Sequence, residues 1–360
     1  MKKSILSLIV FLSFYSNTKA QAPQFAVVKP DGTTYICPTF DSAYNKAING
    51  DNIYLPGGNF SLSNPISKSV HIYGAGYNQD SSTATNITTL TSLTILQGAD
   101  NGSIEGVLIN SGNPQTIPCL TFGDNQNQTP FANYTIKYCF TTSWILFNMP
   151  SSNITISNCY FGFNGSYGGT AIAGNISNSL ISNNIILGNS LASSAQNPYL
   201  QVNNNIFFWY YTQGATFFYF ATQSTYQNNI FQVGGGVVYW SSSNSNFYNN
   251  SNGYPYGGPG NIYSGYINET LDLTFINPGS SSGTPFFIYT YDVHNDYHIK
   301  PTSLCKNSGT DGTDRGIYGG AFPWKDGSIP SNPHIYFKQV APTTNSNGQL
   351  QIQFKVRTEN

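Results

Sequence analysis

Four residues near the C-terminal end alternate with side chains suited to proton transfer or metal binding: Asp292, His294, Asp296 and His298. On an extended strand, residues two apart share a face, so two carboxylates and two imidazoles would stand in one row. Such a row offers ligands for a divalent cation or an acid/base pair. The plainer reading is the polar outer face of a closing strand. Asp311 and Asp314 lie in the run Gly309-Thr310-Asp311-Gly312-Thr313-Asp314. They read first as turn formers, with calcium binding as the alternative. No residue is assigned a catalytic or metal-ligating role, and the sequence specifies no cofactor.

A second set of residues suits recognition better than chemistry. Aromatic runs occur at 207–211, 217–220 and 239–240. In a strand about half of each run faces outward. Trp209, Tyr210 and Trp240, set among Asn and Gln, are the candidate carbohydrate-binding residues, since ring faces and amides suit neutral glycans. The alternative is that these rings pack the core.

The strongest signal is an absence. Residues 138–268, a stretch of 131, contain no Asp, Glu, Lys, Arg or His, where ordinary composition gives about 30. Abstracting a proton beside a uronate carboxylate needs a base and a cation for the developing charge. Glycoside hydrolysis needs two carboxylates at a set separation. The middle of the chain supplies neither. Over all 360 residues only 8% are charged, and the formal charge is −1. With no basic excess, nucleic acid is not the expected partner. No apolar run after the N-terminus has transmembrane length.

What would position these residues is a repeat. The phrase T-I-S-N-C-Y-F at 155–161 returns as L-I-S-N-N-I-I, Q-V-N-N-N-I-F, T-Y-Q-N-N-I-F and N-F-Y-N-N-S-N. One column holds Asn158, Asn183, Asn204, Asn228 and Asn249; the next holds Cys159, Asn184, Asn205, Asn229 and Asn250. The steps along each column are 25, 21, 24 and 21 residues; a period of this length marks repeat architecture, and the short β-forming runs argue for stacked strands instead of helices. Asn tolerates the left-handed backbone of a tight corner. Stacked amides can also donate to one another from coil to coil. The fold expected is all-β, a parallel solenoid of about ten coils. Of the five cysteines, Cys37, Cys119, Cys139, Cys159 and Cys305, an odd number in an exported chain leaves at least one thiol free; Cys139 and Cys159, which share the ladder column with Asn, read as small buried fillers.

The ends read differently. Residues 1–20 have Lys2 and Lys3, an apolar Ile5 to Tyr15 and a small-residue Ala20, the pattern of an export signal. This places the protein outside the cell or on its surface. Residues 21–320 form the solenoid, 321–332 (A-F-P-W-K-D-G-S-I-P-S-N) a linker, and 333–360 a β-hairpin expected to dock as a C-terminal cap. Asp41 is the expected N-cap of a short helix over 41–48. After that helix come Gly50-Asp51-Asn52-Ile53-Tyr54-Leu55-Pro56-Gly57-Gly58-Asn59-Phe60 and Val70-His71-Ile72-Tyr73-Gly74-Ala75-Gly76.

This order of elements resembles the opening of the pectate lyase-like right-handed parallel β-helix proteins. The resemblance implies that fold, with the short helix plugging the N-terminal end. It also implies that enzymatic members carry a Lys, Arg or His base and calcium-binding carboxylates on the middle coils, where this sequence has none. Two readings of function follow. The favoured one is an exported, non-catalytic protein that binds glycans or builds a surface layer, with a polysaccharide as its partner. The other is a polysaccharide lyase or hydrolase working from residues 292–314 or from the N-terminal coils.

Overall fold

The computed structural model describes residues 24–357 apart from 115, 125–128, 163–169, 188–189, 192–197, 209–215, 233–237, 242–243, 249, 252–255, 258, 280–291, 293 and 331–332. The proposed export signal and Asn249 lie outside the described residues. Almost all regular structure is β. The chain visits three sheets in turn, here A, B and C. Thr155–Ser157 lies in A, Tyr160–Gly162 in B and Thr170–Ser177 in C, before Leu180–Ser182 returns to A. Phe25–Val28 opens sheet A by pairing antiparallel with Thr34–Cys37 and Asn52–Tyr54; from there on strands of the three sheets pair in parallel with their counterparts one circuit later, as Thr155 with Leu180 and Tyr160 with Ile185.

The core follows from alternation along these strands. In sheet A the inward positions stack as Ile53, Ile72, Ile104, Ile136, Ile156, Ile181, Val202 and Tyr226. All eight are fully buried. Each such aliphatic side chain contributes about 1.5–3 kcal/mol of burial. The N-terminal end is covered by α1 (Phe40–Lys46), whose Phe40, Ala43 and Tyr44 are buried. Its N-cap is Thr39, not Asp41: Thr39 and Ser42 form a reciprocal capping box. Asp41 instead accepts from the backbone N–H and hydroxyl of Ser63.

The doubled asparagines divide their work at the corner between sheets A and B. The first of each pair, Asn158, Asn183, Asn204 and Asn228, has φ between 54° and 58°. These positions are left-handed, where Asn costs less than most residues. The second of each pair points inward. Asn184 Nδ2 donates to Asn205 Oδ1, Asn205 to Asn229 and Asn229 to Asn250, each at 3.0 Å. Every one of these oxygens also accepts a backbone N–H from the coil before, and the same amides donate to Ile156, Ile181 and Val202 carbonyls. Buried amides are thereby satisfied. Arg315, only 3% exposed, closes the column by donating to the Asn250 carbonyl and Ser251 Oγ. The five cysteines are buried free thiols.

A second corner, between sheets C and A, repeats the device with smaller side chains. Asn153, Asn178, Gln223 and Asn244 are left-handed. The next residues form a buried serine column: Ser179 Oγ accepts from Ile154 N–H, Ser224 from Leu200 and Ser245 from Ser224.

Two expectations about the C-terminal part fail. Residues 321–330 are not a loose linker, since Trp324, Ile329 and Pro330 are buried against the body. The hairpin of His334–Val340 and Ile352–Arg357 does form, yet it is not docked on any of the described residues. Ile352 and Phe354 are 59% and 62% exposed. Strand pairing satisfies the hairpin's backbone, while Tyr336, Val340, Leu350, Ile352, Phe354 and Val356 stay exposed among the described residues.

Candidate functional site

The site is assembled on the outer face of sheet B. Outward positions there stack as Asn59, Thr89, Leu108, Phe140, Tyr160, Ile185, Ile206 and Ile230. From Tyr160 onward this column belongs to a second apolar cluster, separate from the core. Its cover comes from later in the chain. Phe275–Asn277 pairs antiparallel with Asp296–Ile299, and Phe275, Tyr297 and Ile299 press onto Ile185, Ile206 and Phe208. The Phe208 and Tyr297 rings meet edge to face at 5.6 Å.

Beyond Cys305 the chain doubles back along the A/B corner and binds the outward asparagines one after another. Asn228 exchanges two hydrogen bonds with Thr310. Asn204 Nδ2 donates to the Asp314 and Gly316 carbonyls, Asn183 to Ile317 and Gly319, and Asn158 to Phe322. A strap thus runs antiparallel to the growth of the stack. It explains why residues 321–330 are held.

Among the described residues this cover does not reach the N-terminal coils, and a cleft lies beside it. A cavity of about 490 Å³ is lined by Tyr77, Asn78, Gln79, Asp80, Phe140, Tyr160, Asp292 and His294. A smaller one of about 250 Å³ shares Asn78 and Asp292 with it and adds Asp296, His298, Tyr318, Trp324 and Asp326. The floor of the larger cavity is three packed rings: Tyr77 edge-on to Phe140 at 5.8 Å, and Phe140 against Tyr160 at 4.6 Å.

The four alternating residues do reach this cleft, but not as one row. The strand begins at Asp296, so Asp296 and His298 face outward while Tyr297 and Ile299 face the sheet. Asp292 and His294 precede it in a turn. Each His binds the Asp two residues before it: His294 Nδ1 to Asp292 Oδ1 at 2.6 Å, and His298 Nδ1 to Asp296 Oδ1 at 2.7 Å. His294 Nε2 also lies 3.2 Å from Asp80 Oδ2, so acids from both ends of the chain meet on one imidazole. His298 stacks on Tyr318 at 3.7 Å, and Tyr318 donates to Asp326 at 2.5 Å. The hydrogen bond and charge of Asp292, helped by Asp80, raise the His294 pKa above its ordinary 6.5. The His294 backbone N–H and imidazole in turn hold Asp292 below the usual carboxylate range. Tyr297, buried under the strand, is pushed up to about 12.

No three His, Cys, Asp or Glu side chains among the described residues form a metal-binding group. Asp311 accepts from the Thr313 N–H and hydroxyl, and Asp314 pairs with Lys306 at 2.8 Å, so both hold turns. The aromatic candidates are placed less fully. Trp209 and Tyr210 lie outside the described residues, and Trp240 is located only as a backbone position of the sheet C strand Val238–Ser241. Sequence reasoning missed Asp80, Tyr77 and Tyr160. Their signal was weak: Asp80 lies four residues after Gly76 of the opening motif, in a loop with no strand pattern of its own.

No family model matches the chain, and no curated protein matches it. Among solved structures it is similar to the pectin methylesterase from Aspergillus niger in deglycosylated form. That match has a TM-score of 0.37 and 14% identity over 68% of this chain and 89% of that one. Likeness at this level carries no argument about activity. No helix among the described residues is long and apolar enough to cross a membrane.

Proposed function

We propose that this is an exported, non-catalytic protein of the cell surface or its surroundings that binds a neutral polysaccharide in the sheet B cleft. In this reading residues 1–20 direct export. The three sheets wind as a right-handed parallel β-helix, the hand that parallel crossovers take, laced by an asparagine ladder. The observation that carries the reading is the cleft's chemistry: a floor of three rings under a wall of Asp80, Asp292 and Asp296, with no Lys or Arg among the described lining residues. Aromatic floors with a few polar groups suit neutral ligands. A uronate chain would set its carboxylates against three others, and like charges in one cleft repel.

One observation favours an enzyme: Asp80, Asp292 and His294 converge from distant parts of the chain. The shifts oppose that role. A glycosidase general acid needs a carboxyl raised toward neutrality, and Asp292 is lowered. A lyase needs a cation beside the developing enolate, and among the described lining residues the candidates are imidazoles already bound to carboxylates. The test is a binding panel of neutral, uronate and amino-sugar polysaccharides. Neutral polymers should bind, with affinity lost in Tyr160→Leu and in Asp80→Lys. Preferential binding of uronates, or none to any polymer, would refute the proposal.

A further inference from the structure

The column that forms the ring floor does not end there. Followed toward the N-terminus it passes through Leu108 to Thr89 and Asn59, in register across adjacent strands. At that end a cavity of about 390 Å³ is lined by Asn59, Phe60, Ser61, Thr89, Leu90, Thr91, Asn110, Ser111 and Gly112. Asn59, Ser61, Thr91 and Asn110 are exposed, and the lining carries no ionisable side chain. Four strand spacings separate Asn59 from Tyr160, a span of about 19 Å.

We infer that this groove is a second subsite for the same ligand, so that a neutral oligosaccharide lies across the strands from the ring floor to Asn110 and Ser111. The inference rests on the glycan-binding reading above and adds where the chain runs and which groups hold it. Its polar groups are hydroxyls and amides, the set that matches sugar hydroxyls without charge. Asn110 is held in position before any ligand arrives. Its Oδ1 accepts from Gly112 N–H at 3.0 Å and from Thr142 Oγ1 at 3.4 Å, which fixes the amide and leaves its NH₂ as the donor. Ser111 supplies an independent indication. It is 7% exposed, and its Oγ is buried with no hydrogen-bond partner among the described residues. A buried hydroxyl without a partner is costly, and a ligand hydroxyl reached by a turn about χ1 would relieve it. Leu108, half-buried between the two cavities, gives an apolar saddle for a sugar face.

The experiment is calorimetric titration of the full chain with oligomers, from dimer to hexamer, of the neutral polysaccharide that binds best among β-glucan, xylan and mannan. Affinity should climb with length, and the hexamer should exceed the dimer by roughly tenfold or more, one well-made polar contact being worth about that factor. Asn110→Ala and Thr91→Ala should remove most of this gain while leaving dimer affinity unchanged. Ser111→Ala should raise the melting temperature of the free protein and shrink the further rise given by hexamer. If these variants leave the length dependence intact while Tyr160→Leu abolishes binding, the groove is not a subsite and the cleft reading survives alone. If no oligomer binds, both are overturned.

Discussion

Asn204 and Asn205 are neighbours of identical composition with opposite duties. Asn205 is fully buried, accepts twice through Oδ1 and donates to Ile181, Asn203 and Asn229. Asn205→Ala strands several of those groups in the interior and should cost about 3–4 kcal/mol in denaturant unfolding, each buried orphan being worth about 1–3. Asn204 is there for its left-handed backbone and its two bonds to the strap. Asn204→Gly keeps the dihedral but frees the Asp314 and Gly316 carbonyls, and should cost about 1–2 kcal/mol, less than Asn205→Ala. Equal losses at the two positions would contradict this division. The repeat made both columns legible, because left-handed tolerance and amide stacking are properties of the residue type. The cysteine in the second column, read as a buried filler, pointed to that column as the inward one, and Cys159 and Asn184 are indeed buried. The serine column went unread because Ser179, Ser224 and Ser245 follow left-handed positions that are not all one residue type, so no phrase repeats. The imidazole of His294 allows a further check. Since its pKa is raised, its pairing with Asp292 and Asp80 is complete below about pH 6.5 and is lost as pH rises through the raised value. An NMR titration should find the His294 midpoint above 6.5 and lower in Asp292→Asn; a midpoint at or below 6.5 in the native chain would disprove the pairing.

At the scale of elements, the strap is the feature least visible in the sequence. Residues 309–330 are rich in Gly and Pro, which reads as turn and linker. Here the glycines serve close approach: a Cβ on Gly319 would lie 1.7 Å from the Asp314 carbonyl and 2.7 Å from Asn204 Nδ2. Gly319→Ala should therefore unseat the strap near Asn183 and Asn204. Faster amide exchange at 314–322 is expected, with a loss of about 2–3 kcal/mol, typical of disrupting a buried bonded segment. Unchanged exchange would mean the strap tolerates the shift. The hairpin is the opposite case. Its alternation was legible in Leu350 to Arg357, but alternation says only that two faces differ, not what covers them. Because its strands pair with each other and stay exposed, removing residues 333–360 should move the melting temperature by no more than about 2 °C. A larger drop would restore the capping role first expected of it.

Taken whole, the molecule separates a body almost without charge from a cleft that gathers it. Stacked coils with buried amide and serine columns supply a stiff body that needs almost no charge. Among the described residues the C-terminal segments cover sheet B's outer face from Ile185 onward, and beside Tyr160 rings, carboxylates and paired imidazoles come together. The uncharged middle was plain from the sequence and argued against proton-transfer chemistry. The meeting of Asp80 with Asp292 and His294 was not, since it depends on how far the returning chain reaches. The central claim is that this cleft holds a neutral glycan without cutting it. The most direct measurement follows one bound neutral polysaccharide by chromatography during prolonged incubation with saturating protein. The account predicts saturable binding and ligand recovered at its original length, with Asp80→Asn and native protein alike. Shortened or unsaturated products that appear with native protein and vanish with Asp80→Asn would contradict it.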